Sequence, residues 1–214
     1  MFKKGKLICL EGPDGAGKST QIKMLKEKYP EAIFTREPGG TPRAEKIRET
    51  IFATPEASPR EHFDMFWEAR EDHIQNLILP SLRQGKIVVS DRFALSTYAY
   101  QLRGQLNTRD MDGLFWERYG RIVDTQIGID NIHYIYLDMD VAASMKRLEI
   151  RNGEVTHFDT LPIEFHQRVR DGGHEFMQDV DGLNGHVCHI VDAGLAPDVV
   201  HREVVAIIEK VVAA

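Results

Sequence analysis

The sequence predicts a three-layer α/β/α fold on a five-stranded parallel sheet, and two observations carry the prediction. Short β-rich apolar runs recur along the 214 residues, each followed by a longer segment of helical period. The first run breaks directly into a glycine-rich turn that opens a helix. Apolar runs without polar alternation suit strands covered on both faces, hence parallel ones, with ligands expected at their carboxyl ends.

Leu7 to Leu10 is the first strand. Behind it Gly12, Pro13, Asp14, Gly15, Ala16, Gly17, Lys18, Ser19 and Thr20 satisfy the phosphate-loop pattern G-x-x-x-x-G-K-[ST]. Consecutive backbone N–H groups can turn inward there on an anion, and the helix opening near Lys18 aims its positive end at the same point. The loop is expected to hold ATP, with Lys18 on the β- and γ-phosphates and the Ser19 hydroxyl on Mg²⁺. The later strands are placed at Ala32 to Thr35, Lys86 to Ser90, Ile132 to Leu137 and Val187 to Val191. Their carboxyl ends present Arg36, then Asp91 with Arg92, then Asp138, then Asp192 with Ala193. Helical period runs from about Glu61 to Leu82 and from Val141 to Ile150.

A hydrophobic content of 42% is enough for one sizeable core, and no composition break marks a linker, so residues 1–214 are read as one domain. The net charge of −6 argues against a broad nucleic-acid face and for small anionic ligands held by local arginines. Cys9 and Cys188 lie in apolar runs and are expected as core residues, not a disulfide, which implies a reducing cytoplasm. The N-terminal segment Met1 to Lys4 is basic through its two lysines, but the apolar stretch behind it is short and ends at Glu11, so neither signal peptide nor membrane span is expected. The nine histidines show no zinc-ligand spacing.

Four further segments define a second site: Phe34 to Pro42 (FTREPGGTP), Met65 to Arg70 (MFWEAR), Asp91 to Gln101 (DRFALSTYAYQ) and Tyr136 to Asp138. With the loop, in this order, they resemble the thymidylate kinase family over nearly the whole chain. The resemblance implies transfer of the γ-phosphoryl group of ATP to thymidine monophosphate. Phe66 and Arg70 share a helix face, where a ring can stack on a pyrimidine and a guanidinium can donate to a base carbonyl. The resemblance puts thymine there, Thr97 on the base, Tyr100 against the sugar, and Arg48 and Arg92 on the acceptor phosphate, with Ser96 and Gln101 beside them. Forked guanidinium groups suit that phosphate. Asp14 corresponds to an acid near the acceptor sugar and transferring phosphate. Asp91 suits either a Mg²⁺-side acid or a structural partner of Arg92; Tyr100 could also serve helix packing, and Arg36 could serve substrate or loop. Ala193 resembles the adenine-side loop.

Some members of the family carry an arginine in the phosphate loop where this chain has Gly15, so the chain resembles the subtype whose lid supplies the transition-state charge. The lid is expected over about 147–160, with Arg147 and Arg151 as the available arginines and Arg151 as the catalytic one. His157 stands where that subtype has another arginine. Gly172 with Gly173, and the aromatic segment Phe115 to Tyr119, also depart from the pattern. Such departures fit another pyrimidine acceptor, such as deoxyuridylate or a 5-modified form, as well as drift; His157 alone hints at a nucleotide-binding regulator without turnover. The resemblance implies a homodimer, placed at the helix around Glu61 to Leu82, that binds small nucleotides and neither nucleic acid polymers nor membranes.

Overall fold

Strand alternation decides the layers. In β1 (Leu7–Glu11) Leu7 and Cys9 join one hydrophobic cluster while Ile8 and Leu10 join another, as a period of two requires. The same division runs through β3 (Val88–Asp91) and β4 (Ile132–Asp138), where Tyr134 and Tyr136 face one cluster and Ile135 and Leu137 the other. With β2 (Ile33–Arg36) and β5 (Cys188–Asp192) these form a parallel sheet of order β2-β3-β1-β4-β5. The computed structural model describes residues 5–150, 156–184 and 187–213.

The first cluster is closed by α3 (Pro59–His73), α4 (Leu79–Arg83), α5 (Ala94–Thr97), α6 (Asp112–Arg121) and α8 (Ile163–Asn184). The second is closed by α1 (Lys18–Lys28) and α9 (Pro197–Ala213), through Leu25, Val200, Val204 and Ile208. Two more helices complete the fold, α2 (Pro42–Ala53) and α7 (Val141–Glu149). Local signals set the helix starts. Ser58 and Glu61 form a reciprocal capping box ahead of α3, Thr41 caps α2, and Asp140 caps α7. The helix α1 starts differently, with Gly17 at its cap and no side chain on its first amides. That leaves donors for an anion.

Each strand ends one residue later than the sequence suggests, so Glu11, Arg36, Asp91, Asp138 and Asp192 are the last strand residues and not the first loop residues. The helix expected near 61–82 is α3, a π-helical stretch Ile74–Ile78, and α4 in succession. The widening lies just ahead of Pro80, whose ring and missing N–H disfavour an unbroken α-helical ladder.

Two of the departures from the family pattern have structural causes. Phe115 and Tyr119 are buried in the first cluster, stacked at 6.0 Å and packed with Trp116, Tyr98 and Phe176, so this segment builds core and contributes nothing to a substrate pocket. A Cβ at position 173 would meet the Tyr136 hydroxyl at 2.5 Å, and one at 172 would meet Arg103 at 2.7 Å. The two glycines let α8 lie close against β4 and the π-helical stretch Tyr98–Leu106.

Candidate active site

The carboxyl ends of β2 and β3, with the loops that follow β1 and β5, open on one cavity of about 730 Å³, at the point where the strand order reverses around β1. Its floor is the phosphate loop. Gly12, Gly15 and Gly17 have φ of 142°, 82° and 89°, a left-handed curl that turns the chain around the space in front of α1. Asp14, Gly15, Ala16, Gly17, Lys18, Ser19 and Thr20 line the cavity. Gly12 and Pro13 do not; their carbonyls accept from Lys18 Nζ, both at 2.8 Å. Burial, then the charge of Arg92, lowers the Lys18 pKa to about 8.

Gly15 needs its positive φ, and it also needs its lack of a side chain. A Cβ there would strike the carbonyl oxygen of Ser144, so the loop and the backbone of α7 are in contact at this point. From α7 Arg147 reaches the cavity, with its Nη1 4.0 Å from where a Cβ on Gly17 would lie. The far side is lined by Ala193, Leu195, Pro197 and Val200, an apolar slot with Gln21 behind it donating to Pro197 O at 2.9 Å. A flat purine fits such a slot.

The β2 and β3 side carries the other half. Arg92, in the left-handed region at φ 73°, donates to Ser96 Oγ at 2.8 Å, to Gly12 O at 3.2 Å and to Tyr100 Oη at 3.2 Å, and pairs with Asp14. Tyr100 Oη in turn donates to Asp14 Oδ2 at 2.7 Å. Burial opposes the Asp14 charge, yet Arg92, Lys18 and the Tyr100 hydroxyl hold its carboxyl well below the usual carboxylate range. The pairing of Asp91 with Arg92 allowed by the sequence is not made: just past the end of β3, the left-handed backbone at Arg92 turns its side chain to the phosphate loop. Asp91 Oδ1 is buried in the cavity wall without a hydrogen-bond partner among the described residues.

Arg48 lies over the Phe52 ring at 4.6 Å and donates to Pro38 O at 3.1 Å, and Arg48, Phe52 and Phe66 all line the cavity. Gln101 lines it as well. Arg36 does so too, half exposed and paired with Glu45 at 2.9 Å. Arg70 and Thr97 sit deeper than expected, each 1% exposed and behind the residues that line the cavity. Arg70 Nε is bonded to Glu37 and its Nη2 to Phe93 O and Thr97 Oγ1, which leaves Nη1 buried and unpartnered among the described residues.

Glu11, Glu37 and Phe158 belong to this site and were not singled out by sequence reasoning. Glu11 is fully buried at the end of β1 and accepts from Phe93 N at 2.6 Å and Ser96 Oγ at 2.6 Å. Burial pushes its carboxyl pKa up. A charged residue closing an apolar strand was the available signal. Phe158 packs edge-on against Tyr100 at 5.9 Å, and together with Thr156 and Asp159 brings the root of the expected lid over the acceptor half. His157 is exposed and outside the cavity lining; Arg151 lies outside the described residues.

The residues fit a divalent cation of the kind carried by a nucleotide. Among the described residues no group of three carboxylates, histidines or thiols could cage an ion. The cavity instead offers the Ser19 hydroxyl and the orphaned Asp91 oxygen, which matches Mg²⁺ held jointly by phosphates, water and one or two side chains.

A glycine-rich anion cradle, a lysine inside it, and an arginine-lined acceptor half on the same cavity define a phosphate-loop nucleoside monophosphate kinase. Residues 10–204 match the thymidylate kinase family model. The thymidylate kinase of Gluconobacter oxydans is 36% identical over 94% of this chain and 92% of its own length, and that of Thermomicrobium roseum is 36% identical over 95% and 94%. A crystal structure of thymidylate kinase from Ehrlichia chaffeensis superposes with a TM-score of 0.70 at 30% identity, covering 96% of this chain and 99% of that one. The chain belongs to the thymidylate kinase family.

Proposed function

We propose that this enzyme transfers the γ-phosphoryl group of ATP to thymidine monophosphate, giving thymidine diphosphate and ADP. One observation supports this most: Lys18 in its loop and the Asp14–Arg92–Tyr100 cluster meet on one cavity, the former on the donor side and the latter on the acceptor side. In-line transfer needs little covalent chemistry from a protein, so the site acts by positioning and by placing fixed charge where the transition state spreads negative charge.

Each residue has a role in this reading. The amides from Asp14 to Thr20 and Lys18 hold the triphosphate, and the slot at Ala193, Leu195 and Pro197 takes adenine. Arg48 and Arg92 hold the acceptor phosphate with Ser96, Phe66 stacks on the base, Gln101 lies beside it, and Tyr100 packs against the sugar, held by Asp14. The buried Nη1 of Arg70 is the donor for a base carbonyl: an unsatisfied buried guanidinium nitrogen costs about 1–3 kcal/mol, and an acceptor from the ligand removes that cost. Ser19 and Asp91 would hold Mg²⁺, which supplies charge neutralisation across the β- and γ-phosphates. Arg151, with Arg147 on the donor phosphates, completes the charge as the lid over about 147–160 closes.

The reading includes a single kinase domain, a homodimer through the helix near 61–82, and a cytoplasmic location suited to two free thiols. No helix among the described residues is long and apolar enough to cross a membrane. The test is turnover with ATP and Mg²⁺ against thymidylate, deoxyuridylate, cytidylate and their 5-modified forms. Thymidylate should give the highest kcat/KM. Absence of turnover on every pyrimidine monophosphate would sink the proposal.

A further inference from the structure

Behind the acceptor half lies a buried polar chain that meets the cavity at Glu37. Thr35 Oγ1 meets His73 Nε2 at 2.8 Å, His73 Nδ1 meets Glu37 Oε1 at 2.9 Å, and Glu37 Oε2 accepts from Arg70 Nε at 2.8 Å. His73, Glu37 and Arg70 are 0%, 4% and 1% exposed. The chain joins β2, the loop after it, α3 and α5, since Arg70 also donates to Thr97. The guanidinium is gripped on its faces as well, 5.0 Å from the Trp67 ring and 5.3 Å from Phe93.

Hydrogen-bond arithmetic assigns the direction of the chain. The Glu37 carboxylate only accepts, so His73 donates from Nδ1; its Nε2 then accepts from the Thr35 hydroxyl. Of the buried polar atoms in the chain, Arg70 Nη1 alone has no partner among the described residues. Space is reserved for this arrangement. Gly40 has φ 88°, and a Cβ there would meet His73 Nε2 at 2.6 Å and run into Thr35 Oγ1.

We infer that His73 and Glu37 are positioning residues for base selection: they lock Arg70 so that Nη1 alone is presented to the carbonyl that distinguishes thymine from cytosine. This rests on the reading of Arg70 as the donor to the base. A donor that cannot rotate away rejects the amino group that cytosine carries at the same place, because two donors then face each other in a dry site. A looser arginine binds less well and discriminates less.

The experiment compares wild type, His73→Leu, His73→Asn and Thr35→Val by steady-state kinetics with ATP and either thymidylate or deoxycytidylate, with melting temperatures measured alongside. Asparagine keeps a donor near the Nδ1 position; leucine removes it. His73→Leu is expected to raise KM for thymidylate about tenfold and to cut the preference over deoxycytidylate by about the same factor, with KM for ATP within about twofold of wild type. His73→Asn should recover most of both effects. Thr35→Val, which removes only the far hydroxyl, should move both values in the same direction by a smaller factor, and it stands in if His73→Leu does not fold. Equal rises in both KM values, unchanged selectivity in the folded variants, or an asparagine variant no better than leucine would overturn the relay. A wild-type enzyme with no preference for thymidylate would instead overturn the role of Arg70 on which the relay rests.

Discussion

The pH dependence of nucleotide binding tests the phosphate loop through one atom. Lys18 is 7% exposed and its Nζ is bonded to the carbonyls of Gly12 and Pro13, and burial together with Arg92 brings its pKa from 10.5 to about 8. A bound triphosphate favours the ammonium, so binding above pH 8 takes up a proton. If the protonated form binds, the apparent Kd scales as one plus ten to the power (pH − 8), and so rises about tenfold from pH 7 to pH 9. Stability moves the other way. Between about pH 8 and 10.5 the unfolded chain binds more protons at this lysine than the fold does, so the unliganded protein gains stability across that window, by at most on the order of 3 kcal/mol. Calorimetric titration of a non-hydrolysable ATP analogue with Mg²⁺, at pH 7, 8 and 9 in buffers of different ionisation enthalpy, reads both Kd and proton uptake. Lys18→Arg should flatten the profile, because arginine stays charged, and Lys18→Met should abolish transfer with little change in melting temperature. A flat wild-type Kd, or the same slope in Lys18→Arg, would refute the reasoning.

Three other outcomes are expected. Arg151→Met should lower kcat by about 10³–10⁵ with a small change in acceptor KM, while His157→Ala stays within about tenfold; the reverse order, with wild-type kcat rising as pH falls through the histidine range, would reassign the charge. Asp91→Asn should raise the Mg²⁺ concentration for half-maximal rate about 10–100-fold at fixed ATP, and an unchanged requirement would remove Asp91 from the metal side. Gly15→Arg should lower the melting temperature by several degrees, since a side chain at φ 82° costs about 1–3 kcal/mol and strikes Ser144; a variant as stable as wild type would show that the loop and α7 can part.

The strands and the donor half were legible because both are written locally. Apolar runs and glycine punctuation need no tertiary information, and the loop residues that line the cavity are consecutive. Contacts across elements were not legible. Glu37 could be quoted as part of a motif, but its grip on Arg70 requires α3 and the turn after β2 to be folded together. The sequence left Asp91 open between the metal side and a pairing with Arg92; Arg92 reaches Asp14, a choice made by a left-handed backbone at one residue. Phe115 to Tyr119 stayed open between a changed acceptor and drift for a related reason: aromatics at helical spacing look the same whether they face a ligand or, as here, other rings in the core.

The strand order has a consequence for how the molecule can be rebuilt. Because β3 and β2 lie on one side of β1 and β4 and β5 on the other, the residues assigned to the acceptor, Asp14 of the loop apart, fall within 36–101, and those assigned to adenine and to the charge over the donor fall after β4. The acceptor segment is therefore contiguous in the chain, while the donor half joins the loop after β1 to segments that follow β4. Exchanging residues 33–106 for the matching stretch of another member of this family should move acceptor preference as a block and leave the KM for ATP with the parent that supplied β1, β4 and β5.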